Sequence, residues 1–352
     1  MPALAVADQL RASGAEVSFL GTPARAEAEL VPAAGYEIDF IKVRGIDRRN
    51  PLKAARAAGE AAVAVGAAAR ALRRRRADAV LGGGGFVAGP AGLAAALTGR
   101  PLVLTEADSH LGLANRLLAG RARRVCLAFP IAGREGERYL VTGRPVPPAV
   151  LSADRERARR RFGIDPAARC LLVVGGSQGA RSINFAALEA FAERGEGREF
   201  HVLHLSGRRD YEELRRRLAA APRRDRYTLL DFEPGLGDAL AACDLVLGRS
   251  GGSVFEFTAA GRPAILVPYP HATADHQAAN AAWVAEQGAA TVIRDEELDA
   301  ARLAAEVEAL MGDPLRLEEM AAAARRAARP DAARRVADEV LAAAAARGGG
   351  DG

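Results

Sequence analysis

The feature that most constrains this chain is a repeated alternation. Short apolar runs, several of them ending in glycine, are each followed by a helix-like stretch, and the series occurs twice. Residues 16–20, 37–43, 79–81, 102–105 and 124–128 read as strands; residues 2–13, 24–33, 51–76, 90–98 and 111–119 read as helices. The proline-rich run 143–148 interrupts the pattern, as a domain junction does. Strands are then expected at 170–174, 200–205, 227–232, 245–248, 264–268 and 290–293, with one long helix over 315–346. Apolar strands joined by helices form parallel sheets covered on both faces. The expected fold class is α/β: two Rossmann-like domains, 1–145 and 146–347, facing across a cleft, with a tail at 348–352. In such folds ligands gather at the carboxyl ends of strands.

Composition narrows the partners. The formal net charge of the 352 residues is +5, aromatic residues are 5%, and the only lysines are Lys42 and Lys53. An excess this small, with no basic stretch interleaved with aromatics, does not indicate nucleic acid. Cys126, Cys170 and Cys243 lie far apart in apolar segments and read as buried, reduced thiols. No run of 18 apolar residues and no signal peptide is visible.

Two stretches carry the chemistry. In Val173-Val174-Gly175-Gly176-Ser177-Gln178-Gly179-Ala180-Arg181 a buried strand enters a glycine turn and then a helix. Glycine lets backbone approach a ligand closely, and a helix N-terminus offers free N–H groups to an anion. Taken alone, this is also what a tight strand–helix turn without a ligand looks like. The arrangement recurs in Gly248-Arg249-Ser250-Gly251-Gly252-Ser253-Val254-Phe255-Glu256. Here Glu256 stands early in the helix, where a carboxylate can accept from both hydroxyls of a ribose. Glycines, a cation and a diol acceptor together describe a nucleotide-sugar site. A third stretch, 268–280, crowds Asp275, His276 and Gln277 at a helix start, which suits sugar hydroxyls. No third ligand joins His271 and His276, and the chain has no Asp-x-Asp, so neither a metal nor another cofactor is expected.

With these motifs in this order, the chain resembles the MurG family, transferases that add N-acetylglucosamine to the lipid-linked muramyl-peptide precursor of peptidoglycan. The resemblance rests on 175–180, 249–251 with Glu256, the loop 271–280, and 2–7, 21–22, 83–90 and 106–115 in the first half. It implies the GT-B glycosyltransferase architecture and metal-independent, inverting transfer from UDP-N-acetylglucosamine to the lipid-linked muramyl-pentapeptide. The donor would meet Gly176, Ser177, Gln178, Gly179, Asn184, Arg249, Ser250, Gly251, Glu256, His276 and Gln277. His276 stands where the family usually has glutamine. Phe86 and Asn115 would line the acceptor site, and Glu106 or Asp108 would accept the proton. Phe86 replaces a common tyrosine, Asp108 a common asparagine and Thr105 a frequent histidine.

The chain opens in a helix, whereas an α/β domain normally opens with a strand and a glycine turn. The resemblance implies that this turn, Gly-Gly-Thr-Gly-Gly-His, belongs two residues before Met1 and carries the family's candidate base. The 352 residues alone are therefore expected to turn over little or not at all. The acceptor's lipid implies a peripheral place on the cytoplasmic face of the cell membrane. Arg73–Arg76 would touch anionic lipid there or, on an equal reading, simply solvate a helix end. Alternative functions are another UDP-sugar transferase, a 2-epimerase, or a UDP-sugar-binding scaffold without catalysis.

Overall fold

The computed structural model describes residues 2–23, 25–43, 51–176, 179–194, 199–272 and 275–348, with backbone alone at 51–58, 86 and 348. The chain divides into two units, Met1–Pro145 with Asp331–Gly352, and Val146–Pro330.

In the first unit β1 (Ser18–Gly21) pairs in parallel with β2 (Glu37–Phe40), Ser18 opposite Glu37. A second parallel sheet has the order β3 (Val80–Gly82), β4 (Leu102–Glu106), β5 (Arg124–Leu127), β6 (Tyr139–Val141). The single sheet expected here is thus two, because among the described residues no strand joins β1 to β3. β6 was not anticipated: a three-residue edge strand is too short for periodicity to register.

The terminal helices also differ from expectation. Residues 315–346 form two helices, Pro314–Ala327 and Ala332–Gly348. Pro330 separates them; it has no N–H to donate and disfavours helical backbone at the residue before it. The second of these helices, expected in a domain spanning 146–347, instead belongs to the first unit. Its Val336, Ala337, Val340 and Ala343 form one buried cluster with Val6 and Leu10 of helix Pro2–Ala12, Val103 of β4 and Cys126 of β5. Parallel strands need cover on both faces, and this helix supplies part of it. Arg124 Nε donates to Glu339 Oε2 at 2.7 Å on the same contact.

The second unit holds six parallel strands in the order β12-β11-β10-β7-β8-β9. They are β7 (Arg169–Val174), β8 (Phe200–Leu205), β9 (Tyr227–Leu230), β10 (Leu245–Gly248), β11 (Ala264–Leu266) and β12 (Ala290–Val292). The chain steps outward from β7 to β9, then returns to β10 on the other side of β7. The strand order therefore reverses between β7 and β10, whose ends align with Val174 opposite Gly248. At the opposite, amino ends, the buried Arg159 ties the two strands together. Its guanidinium donates to the carbonyls of Ala242, Asp165, Pro166 and Ala168 and to Asp244 Oδ2, which also accepts from Cys170 N.

A buried polar chain crosses this unit. His204 of β8 meets Tyr227 Oη through Nδ1 at 2.7 Å and Asn184 Oδ1 through Nε2 at 3.0 Å. Asn184 Nδ2 donates to Ser206 O and to Asp210 Oδ2. Since Asn184 Oδ1 can only accept, His204 carries its proton on Nε2 and accepts from the tyrosine. Burial pushes the imidazole pKa down to about 3, against a smaller opposing pull from Asp210. All three cysteines are buried.

Two expected outcomes follow from this packing. Val336→Ala is expected to cost about 2 kcal/mol in chemical unfolding, as loss of fully buried methyl groups does. Glu339→Gln is expected to cost less than about 1 kcal/mol, since its ion pair is partly exposed; the reverse ranking would discount apolar packing as the source of the cover. His204 is neutral when folded, whereas an unfolded histidine protonates below about pH 6.5. Stability should therefore fall as pH drops from about 6.5 toward 3, by up to roughly 4 kcal/mol from this group. Unfolding at pH 5 should take up about one proton fewer in His204→Gln than in the parent, measured from the pH dependence of urea midpoints.

Candidate functional site

The strand reversal in the second unit brings the two glycine turns side by side, one after β7 and one after β10. The first is held by backbone packing. A Cβ on Gly175 would collide with Ala180 N, and one on Gly179 would lie 2.5 Å from Ser206 O. Gly176 (φ 81°) and Gly179 (φ 74°) both occupy the left-handed region, where side chains are disfavoured. Gly179 N donates to Gly176 O at 2.9 Å and closes the turn. Helix Arg181–Leu188 follows with no side-chain cap on its first N–H groups. An uncapped helix start beyond a glycine turn is a ready anion site. Ser177 and Gln178, expected here, lie outside the described residues.

Asn184 departs from its expected contact with the donor. It is wholly buried, and both ends of its amide are used within the protein. Its partner Asp210 is 1% exposed. Burial opposes the charge on Asp210, but hydrogen bonds from Arg209 and Asn184 hold its carboxyl below the usual value. Asn184 thus anchors the loop after β8, against which Gly179 rests.

The second turn is fixed by polar contacts. Arg249 NH1 donates to Asp295 Oδ1 at 2.5 Å and to the carbonyls of Val267 and Pro268; its NH2 donates to Ser182 Oγ at 2.9 Å. Ser182 Oγ in turn donates to Asp295 at 2.6 Å. Arg249 therefore stands at the end of β10 with its charge paired and both NH2 groups engaged. Ser250 is fully buried and donates to Gln277 O at 2.7 Å, while its own carbonyl accepts from Asn280 Nδ2. Gln277 Oε1 accepts from Tyr269 N, and a Cβ on Gly251 would sit 3.8 Å from Gln277 Nε2. The β10 turn and helix His276–Glu286 are thereby one piece. Glu256, on helix Val254–Ala259 between the buried Phe255 and Phe257, is partly exposed, as is His276. Asp275 begins its helix in left-handed backbone, φ 52°, which aspartate tolerates better than most non-glycine residues.

In the first unit, Glu106 ends β4 with both carboxylate oxygens occupied. Oε1 accepts from Ala107 N and Asp108 N; Oε2 accepts from Gly112 N and Asn115 Nδ2, at 2.8–3.2 Å. A carboxylate 7% exposed and held by four donors is built to shape its own loop, which corrects the expectation of a proton acceptor at Glu106. Asn115 is 2% exposed; its Nδ2 also donates to Thr105 O, and its Oδ1 is buried without a partner. The Asp108 carboxylate is partly exposed, with no hydrogen bond or ion pair among the described residues. Phe86 falls in helix Gly85–Leu97, which starts without a side-chain cap after left-handed Gly84; its side chain is outside the described residues. Sequence reading missed Ser182, His204, Asp210 and Asp295. None sits in a motif, and each has a partner at least 20 residues away.

Comparison with known proteins identifies the family. Residues 1–127 match the glycosyltransferase family 28 N-terminal domain, and residues 170–336 match the glycosyltransferase family 28 C-terminal domain. The UDP-N-acetylglucosamine–N-acetylmuramyl-(pentapeptide) pyrophosphoryl-undecaprenol N-acetylglucosamine transferase of Moorella thermoacetica is 43% identical, over 91% of this chain and 89% of its own. The enzyme of the same name from Rubrobacter xylanophilus is 40% identical, over 90% and 92%. The crystal structure of Acinetobacter baumannii MurG superposes with a TM-score of 0.76 at 31% identity, covering 97% of this chain and 95% of that one. The calicheamicin glycosyltransferase CalG4, at 23% identity and a TM-score of 0.68, shares the fold. The chain belongs to glycosyltransferase family 28, among the MurG transferases.

Proposed function

We propose that this chain transfers N-acetylglucosamine from UDP-N-acetylglucosamine to the lipid-linked muramyl-pentapeptide of peptidoglycan synthesis, the reaction named for its relatives. The observation that carries the reading is the pair of glycine turns at the strand reversal of the second unit, one of them opening an uncapped helix. The donor diphosphate lies over the 175–180 turn, where backbone N–H groups stabilise the charge that grows as UDP departs. Glu256 accepts from the ribose hydroxyls, and His276 and Gln277 face the sugar. Ser250 and Gly251 shape the β10 turn around them, and Arg249 holds that turn in place.

On the acceptor side, Asp108 is the carboxylate with uncommitted oxygens. The acceptor hydroxyl oxygen bonds to the anomeric carbon from the face opposite UDP. The bond from that carbon to the diphosphate oxygen breaks, the configuration inverts, and the hydroxyl proton passes to Asp108. Glu106 and Asn115 keep the 107–112 loop in shape for this step, and Phe86 lies near the acceptor.

The acceptor's lipid places the protein on a membrane surface. Among the described residues no helix is long and apolar enough to cross a membrane. Support for surface contact comes from Val63, Leu97 and Leu117, which are 70%, 69% and 64% exposed on three helices of the first unit. The Arg73–Arg76 run supports it less than its charge suggests, because Arg74 pairs with Asp39 and Arg75 with both Asp39 and Glu37.

Donor binding and transfer test this reading separately. Calorimetry should show UDP-N-acetylglucosamine binding that Glu256→Gln weakens about tenfold, the value of a charge-assisted hydrogen bond. Gly179→Ala should remove binding, because the new methyl group meets Ser206 O. In transfer of radiolabelled sugar to the lipid-linked acceptor, Asp108→Asn should lower kcat about 100-fold, as loss of a general base does, with donor affinity unchanged. Donor binding indifferent to both Glu256 and Gly179 would refute the site. For the surface, Leu97→Asp with Leu117→Asp should reduce flotation with vesicles by more than Arg73–Arg76→Ser does.

A further inference from the structure

One carboxylate of the second unit has no part in the reaction proposed above, although it lies at the opening of helix Arg181–Leu188. Asp295 begins the short helix Asp295–Glu297 that follows β12. The next two residues, Glu296 and Glu297, pair with Arg294 at the surface. Asp295 turns the other way. Its side chain is 22% exposed and pairs with Arg249 at 2.5 Å. It also accepts at 2.6 Å from Ser182 Oγ, on the second residue of helix Arg181–Leu188.

A clasp for the β10 turn would not need this charge. The Arg249 guanidinium already has three neutral acceptors, the carbonyls of Val267 and Pro268 and Ser182 Oγ. Nor does Asp295 cap the helix beside it. The hydrogen bond it receives there comes from the Ser182 hydroxyl, and the first N–H groups of the helix have no side-chain cap. Those N–H groups therefore stay open to a ligand while a negative charge sits next to them. Such a charge competes with any other anion for the positive end of the helix. It also cancels the charge of the arginine that ties the β10 turn to that helix.

UDP is half of the donor and also the product that leaves. Contacts that hold it equally well in both states add to donor binding but not to the rate of transfer, and they slow product release. A site of this kind works better with a limit on its net charge. We propose, on the basis that the donor diphosphate lies over the 175–180 turn, that Asp295 is a built-in counter-anion. It lowers the affinity of the site for UDP, so that the nucleotide is released after transfer. It acts through Arg249 and the helix start, without touching the substrate.

Calorimetric titration of UDP into the full chain is the test. Asp295→Asn can keep the hydrogen bonds from Ser182 and Arg249 while removing the charge. It is expected to tighten UDP binding about tenfold at low salt, and the gain should shrink as salt is added. Uridine, measured by competition with UDP, carries no charge and should bind parent and variant alike. Asp295→Glu keeps the charge and should keep the parental affinity for UDP. A carboxylate that only fastens the turn gives the opposite sign, with UDP and uridine both bound more weakly by Asp295→Asn. UDP affinity unchanged or lowered in that variant overturns the proposal. Should Asp295→Asn alone fail to fold, the pair of substitutions decides. Arg249→Gln leaves the carboxylate unbalanced and should weaken UDP binding, and adding Asp295→Asn should recover it; no recovery overturns the proposal. Failure of the parent chain to bind UDP at all would overturn the donor assignment itself, and the proposal with it.

Discussion

The second unit is organised around one close approach, that of Gly179 to the carbonyl of Ser206. No side chain fits between them, so the β7 turn lies directly on the loop after β8. That loop is itself held from below. Asn184 grips Ser206 O and Asp210, His204 grips Asn184, and Tyr227 grips His204. Each donor and acceptor along this line has a partner, and a fully satisfied buried network fixes a single geometry. Arg181 and Arg209 close its outer end on Asp210. The turn assigned to the donor diphosphate thus stands on a rigid support reaching back to the first residue of β9.

Arginine does much of the remaining fastening. Arg159 joins the amino ends of β7 and β10 through Asp244, and Arg249 joins the carboxyl end of β10 to Asp295 and Ser182. In both cases one guanidinium reaches several carbonyls and a carboxylate together. A lysine, with three donors on one nitrogen, cannot span such sets. The preference for arginine over lysine in this chain thus has a structural use at these two places.

Much of this was legible in the chain. Strands β8 and β10 have the expected bounds, and both glycine turns stand where glycine follows a buried run, because glycine at a strand end reports a local steric demand. What could not be read depended on distance. The amphipathic pattern of 332–348 says that one face is buried, but not that the sheet it covers belongs to the first unit. Glu106 reads as an acid at a strand end, and only the folded loop shows four donors converging on it. Asn184 reads as a polar residue near a ligand turn, and only the sheet shows His204 and Asp210 beside it. Short-range demands leave marks in sequence, whereas pairings across 20 or more residues leave none in a single chain.

The diphosphate place proposed for the second unit has little formal charge to draw on. At the β10 turn Arg249 is neutralised by Asp295, and helix Val254–Ala259 has only six residues, so neither offers a strong net charge. Attraction for a diphosphate there must come from oriented N–H groups, above all those opening helix Arg181–Leu188. Such dipoles act at short range and reward correct placement of the ligand. A site that stabilises a departing diphosphate gains from donors that favour one position of that group.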